Sequence, residues 1–142
     1  MSFAQRHPIR DICILVTDIE ASIRFYVEKL GFKLKHRAPG FADFTGAGLT
    51  LALWERDHIA HHAGVRVRPN SSSAVLIAVL LDSPAELDRI HDDLAAKGIS
   101  FLGPPRDYDW NAHCAYFQGP DGETWELYAW LDGGAPGKVD EA

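Results

Sequence analysis

The chain is poor in the features that mark several large protein classes. It has two cysteines, Cys13 and Cys114, in 142 residues. Their spacing makes no metal-binding pair, and the expectation is two free, buried thiols. No apolar run approaches the roughly 20 residues that span a bilayer. The opening Met-Ser-Phe-Ala-Gln-Arg-His-Pro has no apolar segment of the signal-peptide kind, so a cytoplasmic location is expected. Runs of Lys and Arg are missing, and the formal net charge of −6 argues against a nucleic-acid surface.

What is present belongs to a soluble globular protein: 46% hydrophobic and 24% charged residues. The length suits one ordinary domain or two small fused modules. Residues 9–16 alternate and are rich in β-branched side chains, which predicts a strand. Ile12, Ile14 and Val16 share one face of it, and Asp11, Cys13 and Leu15 the other. Thr17 or Asp18 can cap a helix from Ile19, whose stripe is Ile19, Ile23, Tyr26, Val27 and Leu30, and Gly31 stops it. Short strands follow at 32–37, 41–45 and 49–54. Residues 55–64, with His58, His61 and His62, read as a short helix or a loop. The pattern then recurs: strand 74–81, a helix start at Ser83-Pro84, a stripe of Leu87, Ile90, Leu94 and Ala95, and a stop at Gly98. A short strand at 99–102, a loop at 103–111 and a hairpin of 113–117 and 123–130 complete it.

The hairpin is the most informative stretch. In Phe117-Gln-Gly-Pro-Asp-Gly-Glu-Thr-Trp-Glu-Leu-Tyr-Ala-Trp130, Pro120 and Gly122 suit a reversal. After it, Trp125, Leu127 and Ala129 form a core face, while Thr124, Glu126, Tyr128 and Trp130 line the other. A carboxylate among rings needs a donor, a cation or water, because unpaired burial is costly.

The two halves repeat as βαβββ units. Strand–Thr17-Asp18–helix–Gly31 matches strand–Leu81-Asp82–helix–Gly98, and Phe44-Thr-Gly-Ala-Gly-Leu-Thr matches Phe117-Gln-Gly-Pro-Asp-Gly-Glu-Thr with one gap. The organisation expected is an extension 1–8, a first module 9–64, a linker 65–73, a second module 74–130 and a flexible tail 131–142. Each module is marginal in size alone, so the two should share buried surface.

Two segments, Val16-Thr-Asp-Ile-Glu-Ala-Ser-Ile-Arg-Phe-Tyr-Val-Glu-Lys-Leu-Gly-Phe32 and Gly119-Pro-Asp-Gly-Glu-Thr-Trp-Glu-Leu127, together with this repeat, resemble the vicinal oxygen chelate superfamily. That superfamily holds glyoxalase I, bleomycin-resistance proteins, fosfomycin-inactivating transferases and extradiol dioxygenases. The resemblance implies an α+β fold in which tandem βαβββ modules curl a mixed sheet around a cavity, commonly in a homodimer. It also implies a divalent metal held from the first and last strands of each module. Carried over by position, those four places are Asp11, Ala52, Val75 and Glu126. Two of them cannot ligate, and neither usual histidine is present, so no tightly bound metal or other cofactor is expected. Asp11 and Glu126 with water make a weak alternative site.

The cavity wall expected by alternation holds Asp11, Cys13, Phe41, Asp43, Trp54, Tyr116, Glu126, Tyr128 and, at its end, Trp130, with Trp110 at the mouth. Apolar and aromatic walls with a few polar groups describe a small-molecule pocket. Rings also offer stacking and cation–π contacts. The reading is a protein that binds a small aromatic or cationic molecule, with no nucleic-acid or membrane partner. The alternative is a metal-dependent lyase, isomerase or transferase of the same superfamily, with Glu126 as base beside Asp11. For His58, His61 and His62 a solvated helix end is weighed against a metal cluster; for His113, a strand-end residue against a catalyst.

Overall fold

The computed structural model describes residues 3–7, 9–46, 48–67 and 75–132. The chain divides into two compact units, Met1–Ser71 and Ser72–Ala142. The first contains α1 (Phe3–Arg6), β1 (Asp11–Val16), α2 (Ile19–Arg24) continuing into a π-helical turn (Phe25–Lys29), β2 (Lys33–Ala38), β3 (Phe41–Thr45), β4 (Thr50–Glu55) and α3 (Arg56–Ala63). The second contains β5 (Leu76–Leu80), α4 (Pro84–Ala96), β6 (Arg106–Tyr108), β7 (Ala112–Gln118) and β8 (Thr124–Trp130). Each unit forms a four-stranded mixed sheet, in the orders β1-β4-β3-β2 and β5-β8-β7-β6. In both, the first strand pairs in parallel with the last, and the remaining pairs are antiparallel. The chain is therefore α+β with one architecture used twice. Most of the expected linker and tail lies outside the described residues.

Local chemistry accounts for the helix starts. Asp18 is extended and its carboxylate accepts from Ala21 N–H at 3.1 Å. Ser83 plays the same part for α4, accepting from Glu86 N–H at 3.1 Å with Pro84 in the first turn. Glu86 in turn accepts from Asp82 N–H at 3.0 Å, so two otherwise orphaned donors are satisfied reciprocally. Ile19 N–H is met by Glu55, whose carboxylate reaches it from the end of β4 at 3.3 Å. The helix is not uniform to its end. From Phe25 it widens, Leu30 N–H bonding to Phe25 C=O, and Tyr26 turns fully into the core. There its ring meets Phe44 and Phe32 at 5.9 and 6.3 Å.

One face of each sheet carries the core. In the first, Ile14, Val16, Ala42, Phe44, Leu51 and Leu53 are buried together with Ile19, Ile23 and Tyr26 of the helix. In the second, Ala115, Phe117, Trp125, Leu127 and Ala129 are buried with Leu87 of α4. Phe117 and Trp125 stack almost in parallel, 6.1 Å apart. Burying each such ring stabilises the fold by roughly 1.5–3 kcal/mol. The opposite face of each sheet is left for function.

Three expectations need correction. The strand expected at 99–102 does not form; Phe101 makes one isolated bridge to Phe117, and the edge strand is β6, inside the expected loop. The reason lies in Gly103-Pro104-Pro105, whose two prolines have no N–H for a ladder, so pairing resumes only at Arg106. Cys13 is exposed rather than buried, because the open face of β1 has no helix over it; Cys114 is buried, and both thiols are free. The N-terminal extension, for which no element was expected, contains the short helix α1, which contradicts none of the expectations.

The third correction concerns how the modules superpose. The helix caps Asp18 and Ser83, not Asp18 and Asp82, are the equivalent residues. Sheet register agrees: Cys13 lies beside Ala52 as Ala78 lies beside Glu126, and Leu15 beside Trp54 as Leu80 beside Tyr128. The counterpart of Asp11 is therefore Leu76, and Val75 precedes the strand. A one-residue slip matters in a strand because it exchanges the two faces.

Candidate functional site

Of the ten residues expected at the cavity, nine fall on the two open faces, Trp130 of β8 among them. Asp11, Cys13, Phe41, Asp43 and Trp54 belong to the first sheet, with Ala52 between Cys13 and Asp43 in register. Tyr116, Glu126 and Tyr128 belong to the second, and Trp110 lies in the β6–β7 turn.

On the first sheet several of these groups are already engaged. Asp43 accepts from the His36 backbone N–H at 2.8 Å, and its oxygens lie 3.1 and 3.2 Å from His36 Nδ1. This pairing sits at the irregularity in β2 between Leu34 and His36 and pins the edge strand there. The Trp54 indole N–H donates to His58 Nδ1 at 3.0 Å. Phe41 meets Trp54 edge-on, with ring centres 6.0 Å apart. His58 in turn lies against His62 at 4.1 Å. Gly40 makes room for this arrangement: its φ is +69°, and a Cβ there would come within 2.7 Å of the His58 side chain. Asp11 and Cys13 are exposed. Desolvation, with the Asp11 charge second, pushes the Cys13 thiol up to about 11, so it stays protonated near neutral pH.

The second sheet carries the denser constellation. The Tyr116 hydroxyl donates to Glu126 Oε2 across the β7–β8 pair, where the two residues are direct partners. Burial first, and this hydrogen bond second, hold the Tyr116 phenol well above its usual range. It is a fixed donor and not an acid of neutral solution. Cys114 beneath is raised by burial and by the Glu126 charge. A recess of about 260 Å³ is lined by Ala78, Trp110, Ala112, Glu126, Tyr128 and Trp130. Tyr128 meets Trp130 edge-on at 5.3 Å. Trp110 stacks on Tyr108 at 4.5 Å and remains 45% exposed. The group can present one carboxylate oxygen to a cation and ring faces to its substituents. Tyr108, Arg106 and His36 were missed from sequence, and His58 was weighed only as a helix end or part of a metal cluster, not as the partner of Trp54.

Glu123, by contrast, is structural. It is 2% exposed and accepts from Asp121 N–H at 3.0 Å inside the Gly119–Gly122 turn. A Cβ on Gly119 would collide with its carboxylate. His113 bonds to two carboxylates, Asp88 and Asp107, both at 2.7 Å. It faces the helix side of the sheet and ties β7 to β6 and α4.

The donor set does not fit the metal that the resemblance implies. Tetrahedral zinc needs about four N, O or S ligands, and octahedral magnesium about six oxygens. Of the equivalent positions Asp11, Ala52, Leu76 and Glu126, two are alkyl, and one Glu126 oxygen is taken by Tyr116. Among the described residues no group of three or more His, Cys, Asp or Glu side chains is gathered for an ion. His58 lies against His62 with the rings tilted by 32°, and His61 meets His62 edge-on at 4.9 Å, a chain of ring contacts.

Paired βαβββ modules, each with a helix-covered face and an open face, define a class of cup-forming proteins. Residues 9–127 match the Glyoxalase/Bleomycin resistance protein/Dioxygenase superfamily, and the chain belongs to it. It is 28% identical over 123 residues to the uncharacterised protein YraH of Bacillus subtilis (strain 168), covering 84% of this chain and 96% of that one. It is 44% identical over 57 residues to a bleomycin resistance protein of Geobacillus stearothermophilus, 40% of each chain. The crystal structure of a glyoxalase/bleomycin resistance protein/dioxygenase from Nocardioides superposes with a TM-score of 0.86 at 48% identity, over 94% of this chain and 90% of that one. A lactoylglutathione lyase from Agrobacterium tumefaciens, at 17% identity and a TM-score of 0.70, covers 85% of this chain and 92% of its own and shares the fold. No helix among the described residues is long and apolar enough to cross a membrane.

Proposed function

We propose that the chain binds a small aromatic or cationic molecule against the open face of the second sheet, without a tightly held metal. The observation that carries this reading is Glu126, a carboxylate fixed by the Tyr116 hydroxyl and bordered by Trp110, Tyr128 and Trp130. A cation entering there gains a charge partner and ring faces together, and desolvation strengthens both. The alkyl side chains at two of the four family ligand positions support metal independence. The partial likeness to a bleomycin resistance protein supports the small-molecule reading. Asp11, Cys13 and Trp54 are proposed as ligand contacts of the first sheet's own open face.

The working form is proposed to be a homodimer in the cytoplasm. Leu76 and Leu80 are each at least half exposed on β5, an outer strand of the second sheet, and exposed apolar side chains there favour association. Sedimentation equilibrium checks it, and a concentration-independent monomer would remove it.

Phenyltrimethylammonium is a suitable probe of the site, followed by tryptophan fluorescence. Saturable quenching in the native protein, lost in Glu126→Gln, is the expected result. Unchanged binding by that variant would sink the assignment of Glu126. Metal analysis of protein purified without chelator is the second test, and near-stoichiometric Zn, Ni, Fe or Mn would overturn metal independence. Tyr116–Glu126 pairing also favours a second reading, an enzyme of the superfamily using Glu126 as base. That reading requires turnover of a glyoxal–thiol adduct or an epoxide that Glu126→Gln abolishes while the fold is kept.

A further inference from the structure

A second recess lies beside the first, at the β6 edge of the same sheet. Its volume is about 380 Å³, and Leu102, Pro104, Arg106, Tyr108 and Tyr116 contribute to its wall. Its chemistry is the opposite of that around Glu126. Arg106 is exposed, and its guanidinium lies 4.4 Å over the Tyr108 ring. The neighbouring carboxylate on β6, Asp107, faces the other side of the sheet and is bonded to His113 at 2.7 Å. The Tyr108 side chain also accepts a hydrogen bond from this guanidinium, and with five N–H donors in a planar fork the exposed group has others to offer a planar acceptor. Tyr116 closes the inner end edge-on to Tyr108, with ring centres 6.1 Å apart. Its hydroxyl is turned to Glu126, so a neutral ring stands between the carboxylate and the guanidinium.

We infer that this recess seats the carboxylate of a small aromatic acid, the carboxylate on the Arg106 edge and the ring against Tyr108, Tyr116 and Pro104. Carboxylate and guanidinium match as two parallel N–H···O bonds, and rings of this kind offer offset or edge contacts to a planar guest. Pro104 adds a wall without an N–H, and Leu102 an apolar rim. The inference rests on reading this sheet's open face as a ligand surface, since Tyr116 is a wall of both recesses. It extends that reading: the two recesses together suit a compound with a cationic end at Glu126 and an anionic, ring-borne end at Arg106.

The test uses the full chain and two probes, benzoate and phenyltrimethylammonium, with the variants Arg106→Gln and Glu126→Gln. Heteronuclear NMR follows the Arg106 side-chain N–H and the Tyr108 and Tyr116 rings. Benzoate is expected to shift all three in the native protein, and Arg106→Gln to weaken it about tenfold or more, the loss expected for a charge-assisted pair. Benzamide, which keeps the ring and loses the charge, should bind as weakly to the native protein as benzoate does to Arg106→Gln. Phenyltrimethylammonium should be unaffected by Arg106→Gln. Equal benzoate affinity in native protein and Arg106→Gln overturns the inference, as does benzoate binding with no shift at Arg106. Benzoate binding that depends on Arg106, with no binding of phenyltrimethylammonium, upholds this inference and removes the Glu126 reading. Ammonium binding without benzoate binding does the reverse.

Discussion

His113 offers the sharpest test of the physical reasoning. Both ring nitrogens meet carboxylates at 2.7 Å, Asp107 at Nδ1 and Asp88 at Nε2. A neutral imidazole has one donor nitrogen and one acceptor, so it can serve only one of them; the imidazolium serves both. Desolvation, the largest single influence, lowers the histidine's affinity for its proton, but the two hydrogen bonds and the two charges together outweigh it, and the net direction is up. The side chain of His113 is 12% exposed, whereas those of Asp88 and Asp107 are 58% and 68% exposed. Solvent therefore screens the acids, and each bond contributes on the order of 0.5–1.5 kcal/mol, not the value of a buried ion pair. The pair is worth roughly 1–3 kcal/mol when the ring is charged. Because the folded protein holds the proton more tightly than the unfolded chain, this stability is complete below the unfolded value of about 6.5 and is lost as pH rises through the folded value. The perturbation is His113→Phe, which keeps a ring and removes the proton. Urea unfolding of native protein and variant should differ by roughly 1–3 kcal/mol near pH 5.5, and the gap should narrow steadily toward about pH 8.5. A gap that is flat or widens with rising pH would refute the doubly bonded imidazolium.

Other outcomes follow from single contacts. Gly119→Ala should cost about 1–3 kcal/mol of stability by forcing the buried Glu123 carboxylate from its turn, read as a lower urea midpoint at unchanged slope. Gly122→Ala meets no atom, so its penalty comes from positive φ and should be smaller, about 1 kcal/mol. Trp54→Phe removes the donor to His58 and should destabilise by about 0.5–1.5 kcal/mol. The same change should sharpen His62 ring exchange in NMR if His58 is released; unchanged His58 and His62 resonances would argue against the bond. Tyr116→Phe removes the donor to Glu126 and should destabilise the fold by about 0.5–1.5 kcal/mol, read as a lower urea midpoint at unchanged slope.

Much of the fold could be read in the linear chain because its determinants are local. Asp18, Ser83 and Pro84 start their helices through atoms three residues away, and glycines at 31, 64, 98 and 122 adopt positive φ where the chain turns. Alternation in β8 separates Trp125, Leu127 and Ala129 from Glu126 and Tyr128 without reference to any partner. The repeat of βαβββ is the sum of such signals, and it brought the superfamily with it. Equivalence between modules was less secure. Two acidic residues, Asp18 and Asp82, invite alignment, yet the cap in the second module is Ser83, and that single step replaces Val75 by Leu76 as the counterpart of Asp11.

Tertiary structure decided what depends on a partner distant in sequence. Arg106–Tyr108 is a strand only because β7 supplies its acceptors, and no periodicity marks three residues after two prolines. Asp43 shares the face of Phe41 by alternation, but that His36 bonds to it follows only from β2 folding back on β3. His113 looked like an end residue until α4 and β6 brought Asp88 and Asp107 to its two nitrogens. Sequence alone sets backbone preference and which side chains share a face, because both are fixed within a few bonds. Which polar group meets which is set by pairing and packing across dozens of residues, and in this protein that choice makes Glu126 a held carboxylate and Arg106 its counterpart across Tyr116.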